Sequence, residues 1–496
     1  MCDTFVALPG ATANGAVLLA KSADTEINEA QHVLKLPRRD YPEGAMVRLT
    51  HLVIPQARHT HEVLLDKSFW LYGGEIGVNE QGVAIGNEAV FSNLASEKDG
   101  VILIDLLRLM LERASDRHEA VELTAHLLNS FGQGGNCELR GNSHFDGSFI
   151  VSDKTGAVVL ETAGKEWAAK EVKGFASISN GYTIRDDWDL SSLKPGNGRK
   201  PDFAATVGDE EKARCTAARE RQKASHDFLA RHAGKITVRT MADLLRYTGE
   251  DADYEPMQGE RPTRVCMHAA PYEYRFWQAT GALIADTRGA DVMGWVTATS
   301  GNDVSIFKPA FFGVDLPDLG PMPRESYTPE AYWWRHEFLH RRAMADYRSL
   351  MPEIFSRRTA LPVYEAREGM EIQPGTVYLA PPDRHMLINR DGTISLTQTE
   401  LVNFVRPSAD LLVESVAAAY GERAIAVVLT GAGKDGSMGV TAIKKRGGTV
   451  IAQDEASSEF ANMPQAAIRT GVVDFVLSLE EIPEALVTLV HGEVRD

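Results

Sequence analysis

The sequence predicts an α+β layered fold over roughly its first 358 residues, followed by a separate α/β unit. Three observations carry this. The chain is 496 residues long, too long for one ordinary core. Before residue 360 many short strand-like runs surround stretches of helical spacing, the pattern of an α+β fold and not of a barrel. After Leu361-Pro362 the rhythm changes to strand alternating with helix, which implies a parallel sheet.

In chain order, residues 4–9 and 15–24 flank Ala13-Asn14-Gly15 and read as an opening hairpin. Further strands are expected at Phe69 to Leu71, Val83 to Ile85, Gly147 to Ser152, Val158 to Glu161 and Phe175 to Ser179. Val101 to Phe131 has apolar residues spaced three and four apart, hence one or two helices. Residues 186–214 are polar, with Pro and Gly, and read as a long surface excursion. Pro329 to Arg358 reads as helix. Beyond the boundary near residue 360, a helix is expected from Ser408 to Tyr420, a buried strand from Ala424 to Leu429 and another strand at Thr449 to Gln453.

Composition limits function. Hydrophobic residues make up 44% and charged residues 24%, as in a globular protein. The net charge of −17 argues against nucleic acid as a partner, because phosphate binding needs clustered Lys and Arg. No apolar run is long enough for a membrane span, and the start, MCDTFVALPG, does not read as a signal peptide. Cys2, Cys137, Cys215 and Cys266 lack paired spacing, which fits free thiols in a cytoplasmic protein.

Cys2 follows the initiator Met, whose removal would leave a thiol and an α-amine on one residue. An α-amine has a pKa of roughly 7.7–8.0, so it can take the thiol proton near neutral pH. The surrounding stretch, CDTFVALPGATANGAVLLAKSADTEINEAQHV, resembles the start of the secernin and C69 dipeptidase family. The resemblance continues through WLYGGEIGVNEQGVAIGNEAV, GQGGN, VLETAGKEWAAKEV, SISNGYTI and SIFKPAFF, and so spans residues 1–355. It implies the αββα sandwich of N-terminal-nucleophile hydrolases and cleavage of small amide bonds, commonly in dipeptides. It also implies Cys2 as nucleophile and Asp24 as the carboxylate that orients its amine. Lys21 stands where relatives have Lys or Arg, and Asn87 and Asn180 are the implied amide donors to the oxyanion. Ser22 and Thr25 depart from the Asn and Arg usual in that family, which points to a different substrate or to weakened activity.

His336-Glu337-Phe338-Leu339-His340 matches H-E-x-x-H, in which two His one helical turn apart can hold zinc. A third ligand is needed. The His downstream before the tail is His385, beyond the domain boundary, and Glu353 and Glu365 have no ligand context. The same helix also resembles one in the dipeptidase family, which does not depend on zinc. No metal and no cofactor is therefore expected.

In the C-terminal part, GAGKDG follows a strand and imitates a dinucleotide fingerprint, with Asp454 further on. A longer likeness accounts for it better. GTVYLAPPDRHMLI, FVRPSADLLVESVAAAYG, VVLTGAGKDGSMGV and AQDEASSEFANMPQAAIRTGVVD resemble the CheB-type protein-glutamate methylesterase catalytic domain over residues 361–496. This implies part of a doubly wound α/β domain, with Asp435 in the position of the Ser-His-Asp triad's Asp. The serine motif and the triad His of that family are missing, and His385 does not match the triad base. An inactive half domain is expected.

The leading expectation is thus a cysteine-type amidohydrolase or dipeptidase. The alternatives are a chemotaxis methylesterase and a non-catalytic interaction protein on a hydrolase fold. Expected partners are a small peptide or amide substrate, a second copy of the chain, and a chemoreceptor contacting residues 361–496.

Overall fold

The computed structural model describes residues 1–248, 263–270, 276–288, 292–345, 359–381, 384–399, 402, 407–431, 433–458 and 461–491. The chain divides into two compact units, Met1–Met344 and Ala345–Asp496.

In the first unit, Cys2–Ala7 pairs antiparallel with Leu18–Glu26, so that Cys2 faces Ala23 and Asp3 faces Ser22. This is the hairpin expected from the sequence. Cys2–Ala7 lies between Phe175–Ile178 and Leu18–Glu26; beyond them come Trp277–Asp286, Met293–Val296 and Lys308–Phe311. Central placement explains why Cys2–Ala7 is buried along its whole length, polar residues included. Trp277–Asp286 has no counterpart among the expected strands. Gln278, Thr280 and Gly281 interrupt its apolar residues, and its register with Leu18–Glu26 shifts between Ala279 and Gly281.

A second, eight-stranded sheet runs in the order Leu190–Ser191, Glu166–Glu171, Ala157–Ala163, Asp146–Ser152, Ala84–Val90, Ile76–Asn79, Val63–Ser68 and Gln31–Leu36. Three apolar cores hold these elements together. Val6, Leu19 and Leu283 of the first sheet meet Leu64, Val78 and Ile150 of the second. The other face of the second sheet packs on the helices Leu103–Arg113 and Arg117–Phe131, through Leu107, Met110, Val121 and Leu128. The other face of the first sheet packs on the helices Ala218–His232 and Val238–Leu245, through Leu229, Met241 and Leu244. Burial of these facing stripes is the main stabilising term, at about 25 cal/mol per Å² of apolar surface.

Two expectations need correction. Phe69 and Leu71 lie in a turn region just after Val63–Ser68, because the chain reverses there to enter Ile76–Asn79. Residues 186–214 are only partly a surface excursion: Trp188, Phe203 and Val207 are buried in the core between the sheets. The helix Phe203–Val207 within that stretch is capped by the Asp202 carboxylate, which accepts from Ala205 N–H. The helix expected to Arg358 is present as Tyr332–Ala345, and residues 346–358 lie outside the described residues.

The second unit carries a parallel three-stranded sheet, Ile425–Val428, Thr449–Gln453 and Phe475–Leu477. The helices Ala409–Tyr420 and Ser437–Lys445 pack on it through Ala417, Val440 and Ile443. The antiparallel hairpin His385–Ile388 and Ile394–Thr397 turns at Asn389-Arg390-Asp391-Gly392, where Gly392 adopts φ +85.

Candidate active site

Cys2 sits at the start of the first central strand and is 6% exposed. Around it lie the residues singled out from the sequence. The Cys2 Sγ accepts from the Asp24 backbone N–H at 3.4 Å, a contact fixed by the hairpin register. The Lys21 Nζ donates to Glu75 Oε2 at 2.7 Å and to Asn87 Oδ1 at 3.0 Å. The Cys2 thiol faces the same Glu75 oxygen at 4.0 Å. Asn180 Oδ1 accepts from the Cys2 backbone N–H at 3.0 Å, while its Nδ2 donates to Ala89 O at 2.8 Å. Asn87 Nδ2 donates to Gly74 O at 3.3 Å.

The electrostatics follow from burial. Burial pushes the Cys2 thiol up to about 11, with Lys21 and the chain's amine pulling it back. Burial works to lower Lys21, but Cys2, Glu75 and Glu88 outweigh it, so its pKa is raised and the ammonium stays charged. Burial raises Asp24 to about 7, opposed by the amine. Its Oδ1 accepts from Ser22 Oγ at 2.7 Å, and its Oδ2 is buried with no hydrogen-bond partner. Ser22 in turn accepts from Asn302 Nδ2 at 2.9 Å.

Two residues essential to this arrangement escaped the sequence reading. Glu75 pairs with Lys21. Arg221, fully buried on Ala218–His232, donates to Cys2 O at 3.1 Å, to Asn180 Oδ1 at 2.6 Å and to the Asp3 carboxylate. Glu75 lies inside a stretch that carries the family resemblance, so a signal existed. Arg221 lies in ARERQKASHDFLARH, which reads as an ordinary polar helix.

Met1 is itself buried, at 8% exposure. Its amine donates to Asp24 O at 2.6 Å, and it lines a cavity of about 60 Å³ with Cys2, Asp24, Glu75, Asn87 and Trp277. That volume holds a few waters and no dipeptide. A larger cavity of about 500 Å³ is lined by Ser179, Gly181, Arg185 and Arg214 and does not include Cys2.

The H-E-x-x-H residues do not converge as a metal pair. His336 Nε2 meets Ser305 Oγ at 3.2 Å, whereas His340 Nε2 meets His268 Nδ1 at 3.0 Å. Burial works to raise Glu337, but contacts with His340, Ser300 and Gln278 outweigh it and hold its carboxyl at about 2.

In the second unit, Asp435 is committed to backbone structure. Its carboxylate accepts from Ser408 Oγ at 2.7 Å, from Ala409 N–H at 2.6 Å and from Asp410 N–H at 3.2 Å, at the start of Ala409–Tyr420. Asp410 returns the arrangement by accepting from Met438 and Gly439 N–H, both at 2.8 Å, at the start of Ser437–Lys445. The two helices thus cap one another. The Asp410 carboxylate also occupies the helix N-terminus where a dinucleotide phosphate would have to sit. His385 Nδ1 accepts from Ser408 N–H at 3.2 Å, while the Ser408 hydroxyl is turned to Asp435.

Among the described residues no helix is long and apolar enough to cross a membrane. Comparison with known proteins places a match to the family model "CheB methylesterase" at residues 338–486. A Leptospira interrogans protein named "Putative protein-glutamate methylesterase/protein-glutamine glutaminase" is 44% identical over 136 residues, covering 27% of this chain and 70% of that one. The Thermotoga maritima CheB methylesterase catalytic domain is 37% identical, covering 29% of this chain and 78% of its own, with a TM-score of 0.28. A mutant conjugated bile acid hydrolase from Clostridium perfringens is 11% identical, covering 62% of this chain and 96% of its own, with a TM-score of 0.37. Through its C-terminal unit the chain belongs to the CheB methylesterase family.

Proposed function

We propose that residues 1–358 form a cysteine-nucleophile hydrolase of small amide or dipeptide bonds, built as an αββα sandwich of the N-terminal-nucleophile type. The observation that carries this reading is the position of Cys2. It is gripped on both sides, its nitrogen by Asn180 and its sulfur beside charged Lys21 and Asp24 N–H. Removing Met1 converts that nitrogen into an α-amine and enlarges the cavity that Met1 now lines. Asp24 is the carboxylate assigned to orient that amine: its Oδ2 is buried without a partner, and the Met1 amine already donates to its backbone oxygen.

The amine takes the thiol proton, and the thiolate, stabilised by Lys21, attacks the amide carbonyl. Each Asn side-chain amide has a second N–H to offer the oxyanion, from Asn87 and Asn180. One such donor contributes about 3–4 kcal/mol to transition-state stabilisation. The ammonium then protonates the departing amine, and water, deprotonated by the same amine, hydrolyses the thioester and restores the thiol. The test is hydrolysis of a dipeptide panel by the purified chain and by Cys2→Ala. Retained hydrolysis in a folded Cys2→Ala would remove the mechanism.

A second reading rests on the family membership of the C-terminal unit, namely demethylation of receptor glutamates. Against it stands Asp435, whose carboxylate is used up as a helix cap. We assign residues 361–496 a binding role, with a chemoreceptor as the expected contact.

A further inference from the structure

We infer that Cys266, His268 and Asp303 form a binding site for one divalent transition metal ion of the zinc type. Each residue offers one ligand atom, and the three atoms lie within 4.8 Å of one another. Cys266 and His268 are wholly buried, and the Asp303 side chain is 9% exposed. This inference does not rest on the hydrolase reading and stands or falls separately.

The decisive detail is which imidazole atom the other two approach. Asp303 Oδ2 lies 3.1 Å from His268 Nε2, and Cys266 Sγ lies 3.8 Å from the same nitrogen. Cys266 also exchanges hydrogen bonds with Asp303, so thiol, imidazole and carboxylate close a three-membered cluster about a single point. A Cys-His-Asp nucleophile would place thiol and carboxylate on opposite nitrogens. Convergence of S, N and O donors on one point is what a tetrahedral ion requires. Three protein ligands leave the fourth position to water or another donor. The donor set excludes calcium and magnesium, which take oxygen ligands, and suits zinc or cobalt.

The far side of His268 is arranged accordingly. Its Nδ1 meets His340 Nε2 at 3.0 Å, and His340 Nδ1 donates to Glu337 Oε2 at 3.1 Å. Glu337 is fixed further by Gln278 Nε2 at 3.0 Å and Arg341 Nε at 2.7 Å. In the tautomer whose Nδ1 proton is directed at His340, the Nε2 lone pair points toward Cys266 and Asp303, the arrangement a shared ion would use. A carboxylate behind a ligating His orients the ring and raises its basicity. In this role the H-E-x-x-H helix supports a ligand and provides none, since His340 and Glu337 act behind His268.

The site joins segments distant in sequence. Residues 263–270 meet the sheet through Ala279 N–H to Met267 O at 2.9 Å. Asn302, next to Asp303, donates to Ser22, which in turn donates to Asp24. A metal there would tie together the backing of the carboxylate beside Cys2, which makes its role structural.

The experiment uses the full chain, stripped of metal and titrated with Zn²⁺ or Co²⁺ alone. One equivalent should bind, and Zn²⁺ should raise the thermal midpoint. Co²⁺ should produce a thiolate charge-transfer band that persists in Cys2→Ala and disappears in Cys266→Ser. Should Cys266→Ser fail to fold, X-ray absorption of the zinc-loaded wild-type protein decides the matter. One sulfur in a nitrogen and oxygen shell is expected. Absence of stoichiometric binding, a shell without sulfur, or a cobalt band lost in Cys2→Ala would each overturn the inference.

Discussion

Replacing Arg221 with Met should damage both the fold and the candidate site. The guanidinium is fully buried and is shared among the Asp3 carboxylate, Cys2 O, Asn180 Oδ1 and Thr216 O. Methionine fills similar space without a donor. It leaves Asp3 buried without its cation, with Oδ1 already lacking any hydrogen-bond partner. Breaking one side of a buried pair costs about 3–5 kcal/mol. At about 2 °C per kcal/mol, the lower end for large units, the thermal midpoint should drop by about 6–10 °C. The double variant Arg221→Met/Asp3→Asn removes the stranded charge and should recover much of the midpoint, because the penalty is mostly desolvation of Asp3. Hydrolysis should not recover with it, because Asn180 and the Cys2 backbone still lack their anchor. Scanning calorimetry of wild type, Arg221→Met, Asp3→Asn and the double variant, with dipeptide assays below the lowest midpoint, reads both effects. If Arg221→Met melts like wild type, or the double variant melts at the sum of the two singles, the reasoning fails.

The other predictions are brief. Burial raises Asp66 from 3.8 to about 7, so the folded chain holds a proton there that the unfolded chain gives up at lower pH. Its contribution is complete below the unfolded pKa and is lost as pH rises through about 7; Asp66→Asn should flatten that fall and exceed wild type in midpoint at pH 8, and an unchanged pH profile would contradict this. The full chain should release no methanol from methylated receptor; release that survives Cys2→Ala but disappears in Asp435→Asn would show a working triad. Asp435→Asn should also lower the stability of the second unit by about 1 kcal/mol or more, through lost helix capping, as read by hydrogen exchange in Ala409–Tyr420.

Much of the fold could be read from local pattern. The opening hairpin, the two helices between Val101 and Phe131 and the parallel strands of the second unit all have periodicity matched to their burial. Trp277–Asp286 did not, because a strand buried on both faces with a bulge shows neither alternation nor a clean apolar run. Residues around Cys2 came from the family resemblance, and the structure brings all five to one place. What was hidden is long-range pairing: Arg221 on Asp3 and His268 on His340 join residues far apart in sequence, and no local spacing encodes such a meeting. The H-E-x-x-H spacing was visible and was set aside as a zinc site; in the structure His336 and His340 turn to different partners, Ser305 and His268. Asp435 was singled out as the triad Asp by resemblance, and the structure shows its carboxylate capping a helix.

The central claim is that the α-amine of Cys2 is the base for its own thiol. The most direct measurement is the intact mass of the active protein before and during turnover. The account predicts a chain starting at Cys2 and, with a slow substrate, a transient acyl adduct on that residue. A fully active protein that retains Met1, or an adduct mapped to another residue, would contradict it.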